Sequence, residues 1–369
     1  MGVLRGVGLL CVAFALGACT GGGAAPPSSG PSSGTPAQAL AKRLEQHVGS
    51  LDRLGFRGVV EVHRDGELLL SRAFGPAEVS TTRPNTPATR FRIGSVTKQV
   101  TALALLVLEE RGALRLTDPL CAHLPGCPPE WAAIAVGHLL DHTSGLVNYL
   151  ALPREQLVTL LGDRPSHLEL VHRMRSWPLT RPPGTEFEYS NTGYVAAGAL
   201  IEHLSGESYE SFLRRTVLDP LGMGATTTAW DETDPAGRAV GYTDATTPAD
   251  LTSFPRYSDG SLSSTTADLH RWNTFLLTAN PPLVTRATLD RMTTPNPAVK
   301  NAGDPYGYGL QLHKVGSETS VEHSGGLPGF LTYNGFHRGT RSSVTVVSNL
   351  GTTDPDNIGH GLMDLAARR

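Results

Sequence analysis

Strand-type runs lie near both ends of this chain, with helical and loop-rich sequence between them. Residues 59–63 and 68–74 flank Arg64-Asp65-Gly66-Glu67. An Asp-Gly pair between apolar runs is a strong hairpin signal. The two-residue period returns over residues 308–315, 319–323, 330–337 and 343–349, with Gly316 and Gly339 at turns. A closing helix over roughly residues 357–367 would cover these strands. The middle reads as helices over residues 95–111, 136–142, 194–204 and 209–217, punctuated by Pro182-Pro183-Gly184 and Pro220-Leu221-Gly222. This order predicts an α/β fold. N- and C-terminal segments build one antiparallel sheet flanked by helices, and a mostly helical lobe, roughly 96–255, is inserted between them.

The N-terminal residues stand outside that fold. Arg5 precedes an apolar run over residues 7–18, too short to span a bilayer and of the length of a signal-peptide core. Residues 1–18 therefore read as an export signal. Leu16-Gly17-Ala18-Cys19 resembles the lipobox of bacterial lipoproteins, in which Cys19 would carry a lipid and begin the mature chain. Cleavage near the same small residues, with plain secretion, is the alternative. Residues 19–37 are nearly all Gly, Ala, Pro, Ser and Thr and have little to bury, so they read as a flexible tether to a domain over 38–369. The expected location is the outer face of the cell membrane.

A formal charge of −3 with scattered basic residues leaves no nucleic-acid footprint. Cys121 and Cys127 bracket the turn-rich Ala-His-Leu-Pro-Gly. In an exported protein this pair reads as a disulfide more readily than as a metal site, because no other cysteine can join it; two free thiols are the alternative. His138 and His142 are spaced like a helical zinc pair but lack the glutamate of His-Glu-x-x-His, so no metal and no cofactor is expected.

The helix after Gly94 carries the chemistry. Ser95 and Lys98 stand three residues apart at its start and so share one face. A serine hydroxyl is a weak nucleophile until a neighbour takes its proton, and only a neutral amine can take it. By composition a chain of this length holds about one Ser-x-x-Lys by chance. This chain, however, has four lysines against 27 arginines, and Lys42, Lys300 and Lys314 have no serine three residues before them. Arginine cannot give up its proton in a protein, so a lysine here fits a need for a titratable amine. Tyr189-Ser190-Asn191 follows in a loop: the tyrosine could relay a proton beside Lys98 and the asparagine amide could hold a substrate amide. A helix cap by Asn191 with a packed tyrosine is the plainer reading. His323-Ser324-Gly325-Gly326 ends a predicted strand, where a small residue lets a substrate lie against the sheet edge. His337-Arg338-Gly339 also reads His-x-Gly, but looks like a solvent-facing hairpin turn, so His323 is preferred.

In this order the three segments resemble the active-site motifs of the serine β-lactamase and penicillin-binding family. Asp141-His-Thr-Ser-Gly-Leu146 and residues 260–269 (GSLSSTTADL) resemble its connecting segments and Tyr306-Gly-Tyr-Gly-Leu310 its pre-strand turn, so the likeness runs from about Ala39 to the end. It implies that Ser95 attacks a carbonyl, that Lys98 and Tyr189 move its proton, and that Asn191 orients the substrate. His323, Ser324 and Gly325 would face the substrate carboxylate or leaving group, and the N–H groups of Ser95 and Gly326 would form an oxyanion hole. Histidine stands where class C β-lactamases usually carry Lys-Thr-Gly. Tyr-Ser-Asn with His-x-Gly is closer to D-alanyl-D-alanine carboxypeptidases of the Streptomyces type and related esterases. No segment resembles the class A loop that carries a water-activating glutamate. The expected substrates are thus peptides, β-lactams or small esters, with carboxypeptidase activity first and β-lactamase or esterase activity as alternatives. A cell-surface binding lipoprotein that lost catalysis is the alternative of another class.

If Cys19 carries the lipid, Cys19→Ala should move the protein from the membrane to the soluble fraction. An unmodified mature N-terminus by mass spectrometry would rule the lipid out.

Overall fold

The computed structural model describes residues 35–228, 237–251, 257–297 and 303–368. The expected export signal, most of the expected tether and Cys19 lie outside these residues. One six-stranded antiparallel sheet organises the domain. Its strands are β1 (Gly58–Arg64), β2 (Glu67–Phe74), β3 (Gln311–Val315), β4 (Glu318–Leu327), β5 (Phe330–His337) and β6 (Ser342–Ser348), in the spatial order β2-β1-β6-β5-β4-β3. The two ends of the chain meet where Val60 of β1 pairs with Val346 of β6. Asp65 and Gly66, both at positive φ, make the β1–β2 turn, as the primed hairpin turns require.

The sheet divides two apolar cores. On one face, helix α1 (Pro36–Val48) and the closing helix α5 (Pro355–Ala366) cover Val60, Val62, Val344 and Val346. Helix α1 buries Leu40, Leu44 and Val48, spaced one turn apart, and takes up residues 36 and 37, which composition had assigned to the tether. On the other face α4 (Thr266–Thr278) packs on the sheet, and α2 (Thr97–Glu110) and α3 (Asn191–Ser205) share with it a core that includes Val59, Val321, Phe336 and Val347. Helix α2 is buried from Thr97 to Leu108, so it runs through the centre of its layer rather than along the surface. Cys121 and Cys127 are joined, with an S–S distance of 2.02 Å.

Three expectations change. Strand β4 continues past His323 to Leu327, because pairing with β5 holds the glycines extended where propensity alone would end the strand. Residues 209–217 are not one helix but a short one, Tyr209–Leu213, running into a π-helical turn, Arg214–Leu218. His337 is not in a solvent-facing turn: it is 1% exposed and pairs with Thr340 Oγ1 at 2.9 Å, at the far end of β5 from Gly325.

Candidate active site

Ser95 sits in a 3-10 turn, Gly94–Val96, that leads directly into α2. Gly94 has φ +51°, and a Cβ there would fall 2.8 Å from the Gly326 nitrogen. From the other side, a Cβ on Gly325 would lie 1.9 Å from the Ile93 carbonyl oxygen. Only glycine at both positions lets the edge of β4 lie this close to the serine turn. The turn uses the N–H groups of Val96 and Thr97 for its own bonds, to Ile93 and Gly94, and not that of Ser95. Leu327 and Phe330 close the β4–β5 hairpin, so strand alternation directs the Gly326 N–H away from β5, along an edge that β3 does not reach. Two backbone donors therefore flank the Ser95 hydroxyl.

One turn after Ser95, Lys98, the second residue of α2, is wholly buried. Its Nζ donates to Asn191 Oδ1 and to the Asp259 carbonyl, both at 2.7 Å, and lies 3.1 Å from Ser95 Oγ. Asn191 is the first residue of α3, whose N-cap is Ser190: the Ser190 hydroxyl accepts from the Gly193 N–H at 3.4 Å. The Asn191 Nδ2 donates to Asn148 Oδ1 at 3.0 Å, so both ends of its amide are engaged within the protein. In this state Asn191 holds Lys98 rather than waiting open for a substrate. Tyr189 lays its ring 5.0 Å from Lys98 Nζ and 6.3 Å from the His323 ring.

His323 is 3% exposed. Its Nδ1 is 2.5 Å from the Ser324 carbonyl oxygen, which can only accept, so Nδ1 carries the proton. Nε2 then accepts from Tyr306 OH at 2.7 Å. Burial, and after it the charge of Lys98, pushes the His323 pKa down to about 3. His142 is held well below its ordinary value by burial, Lys98 and His323, and its Nδ1 accepts from the Ser190 N–H at 3.1 Å. Both rings are neutral at working pH.

Ser324 requires a correction. Strand alternation turns its hydroxyl to the opposite face of the sheet, where it donates to Asp356 Oδ1 of α5 at 2.6 Å. Only its backbone borders the Ser95 side. Conversely, Asn148, Asp259 and Tyr306 belong to the site, and of the three only Tyr306 falls in a segment that the sequence motifs mark. Asp259 fills two roles, because its carboxylate also accepts from Tyr149 OH at 3.0 Å. Burial raises the pKa of that carboxyl, partly offset by Lys98. A cavity of about 440 Å³ opens beyond Tyr306, walled by Asp141, Phe187 and Pro305 among others; Ser95 is not in its lining.

The beta-lactamase family profile matches residues 40–368. The chain belongs to this family. A penicillin-binding protein of Bacillus subtilis is 29% identical over 318 residues, which span 80% of this chain and 68% of that protein. Among solved structures, the octameric penicillin-binding protein homologue from Pyrococcus abyssi is similar, with 29% identity and TM-score 0.75, over 86% of this chain and 75% of that one. The D-amino acid amidase of Ochrobactrum anthropi is 27% identical with TM-score 0.73, over 89% of this chain and 97% of its own. The antiparallel sheet with its helical insertion is thus the fold of the beta-lactamase family.

A histidine buried neutral opposes folding once it must gain a proton on unfolding. Its pKa is lower folded than unfolded, so its stabilising effect is complete above the ordinary value near 6.5 and is lost as pH falls towards 3. For His323 the loss by pH 4.5 is about 2–3 kcal/mol. Urea unfolding of the wild type and of His323→Gln at pH 7.5 and 4.5 checks this. The variant should lose that much less stability across the interval, and equal losses would contradict a neutral His323.

Proposed function

We propose that this member of the beta-lactamase family is a serine hydrolase that cleaves an amide or peptide bond through an acyl-enzyme on Ser95. The observation that carries the reading is the contact of Lys98 Nζ with Ser95 Oγ at 3.1 Å, with Nζ held from behind by Asn191 and Asp259. Ser95 Oγ would bond to the substrate carbonyl carbon as its proton passes to Lys98 Nζ, with Tyr189 beside it as relay. The N–H groups of Ser95 and Gly326 would take the oxyanion. On collapse the C–N bond breaks, the proton goes to the departing amine, and the acyl group stays as an ester on Ser95. Water then attacks that ester, returning its hydrogen to Ser95 and releasing the acid.

Similarity to penicillin-binding proteins and to a D-amino acid amidase supports D-configured amides as the substrate class. The two differ in what leaves: a carboxypeptidase must hold a terminal carboxylate, whereas an amidase releases an uncharged amine. His323 in its neutral, buried state offers no positive charge for a carboxylate. That favours the amidase side over the carboxypeptidase suggested by the motifs alone. Export to the outer face of the membrane through a lipid on Cys19 belongs to the same proposal.

Acyl-D-alanyl-D-alanine and its C-terminal carboxamide test the reading as a pair. Both should be cleaved, the carboxamide at least as fast, and Ser95→Ala should lower either rate by at least ~10³-fold. Strong preference for the free carboxylate would restore the carboxypeptidase. No turnover of either, with no penicillin ester on Ser95 by intact mass, would mark a binding protein without catalysis.

A further inference from the structure

Three ligand-type side chains converge on the face of the sheet opposite Ser95. His313 comes from β3, Glu322 from β4 and His360 from α5, and one donor atom of each lies within 4.8 Å of the other two. Glu322 is a buried carboxylate, 5% exposed. Its Oε2 accepts from Ser320 Oγ at 2.9 Å and Tyr333 OH at 2.8 Å, which fixes the group and turns Oε1 towards His360 Nε2, 2.7 Å away. His313 Nδ1 lies 3.0 Å from Asp304 Oδ2. A carboxylate on one ring nitrogen holds the proton there and leaves the other nitrogen as a free lone pair, the usual arrangement of a metal-ligating histidine. Asp356, one turn before His360, adds negative charge to the same face, where it accepts from Ser324 Oγ.

Two imidazole nitrogens and a carboxylate oxygen are the donors that first-row divalent ions, zinc foremost, select. We propose that His313, Glu322 and His360 bind one such ion, and that it staples α5 to the β3–β4 edge directly behind the His323 segment. The ion takes the place of the proton between Glu322 Oε1 and His360 Nε2, and His360 keeps a proton on Nδ1. The His313 and His360 rings lie nearly parallel, with centroids 4.1 Å apart, so His313 must turn its ring edge towards the ion. Its side chain is 32% exposed and has the room to do so. The three ligands come from three separate elements, which is why no spacing in the sequence marks them.

Zn²⁺ is the probe. The full chain, stripped with EDTA and dialysed, should take up one Zn²⁺ in calorimetric titration and gain thermal stability as it does. His313→Ala and His360→Ala should each weaken binding by at least ~100-fold, and Asp304→Asn by roughly 10- to 100-fold. His313 is the decisive position: both histidine side chains are about one-third exposed, 32% and 35%, but only His360 is paired with the buried Glu322 carboxylate, so His313→Ala leaves that pair intact. No Zn²⁺ uptake by the wild type, or unchanged affinity in His313→Ala, overturns the proposal and leaves the cluster an ion pair.

Discussion

A buried amine is the constraint around which this domain is arranged. Lys98 lies inside the layer between the sheet and the helical lobe, where an unpartnered ammonium or amine would be strongly disfavoured. Two fixed acceptors, Asn191 Oδ1 and the Asp259 carbonyl, use two of its N–H groups whichever protonation state it holds. The third position, towards Ser95, is then an N–H in the ammonium and a lone pair in the amine. That geometry makes proton exchange with the serine the one freedom left to the group. It also ties three distant parts of the chain together, since α2, the start of α3 and the segment before residue 260 must all be in place.

Glycine supplies the second half of the site. Backbone, not side chain, meets backbone where Gly94 and Gly325 let β4 lie against the serine turn. The same closeness sets the amide of Gly326 beside that of Ser95, so the polarity offered to a developing oxyanion comes from main chain that cannot rotate away. Behind the strand, Ser324 and Asp356 tie β4 to α5. One strand thereby carries the reacting edge on one face and its fastening on the other.

Much of this was legible before the structure. The hairpin at Asp65-Gly66 and strand β5 follow from local signals, and Ser95 with Lys98 follows from helix spacing and the scarcity of lysine. Ser324 was misread because its chain neighbour His323 faces the site, and the one-residue offset in a strand turns it to the other face. The protonation state of His323 was not legible, since it depends on burial behind Tyr306. Asp259 acts on Lys98 through its carbonyl, a group every residue has, so no side-chain pattern could announce it. Helix α1 was missed because its three buried residues follow a polar, proline-rich stretch and are too few for a clear period.

The central claim is that Lys98 accepts the Ser95 proton. Lys98→Arg keeps a positive charge at the site but removes the amine that can be neutral. The measurement is the single-turnover rate at which an activated nitrophenyl ester acylates Ser95, in wild type and in this variant, with folding verified by circular dichroism. Proton acceptance by Lys98 predicts a fall of at least ~10²-fold in that rate. A rate within a few-fold of wild type would contradict it and leave Lys98 a purely electrostatic part of the site.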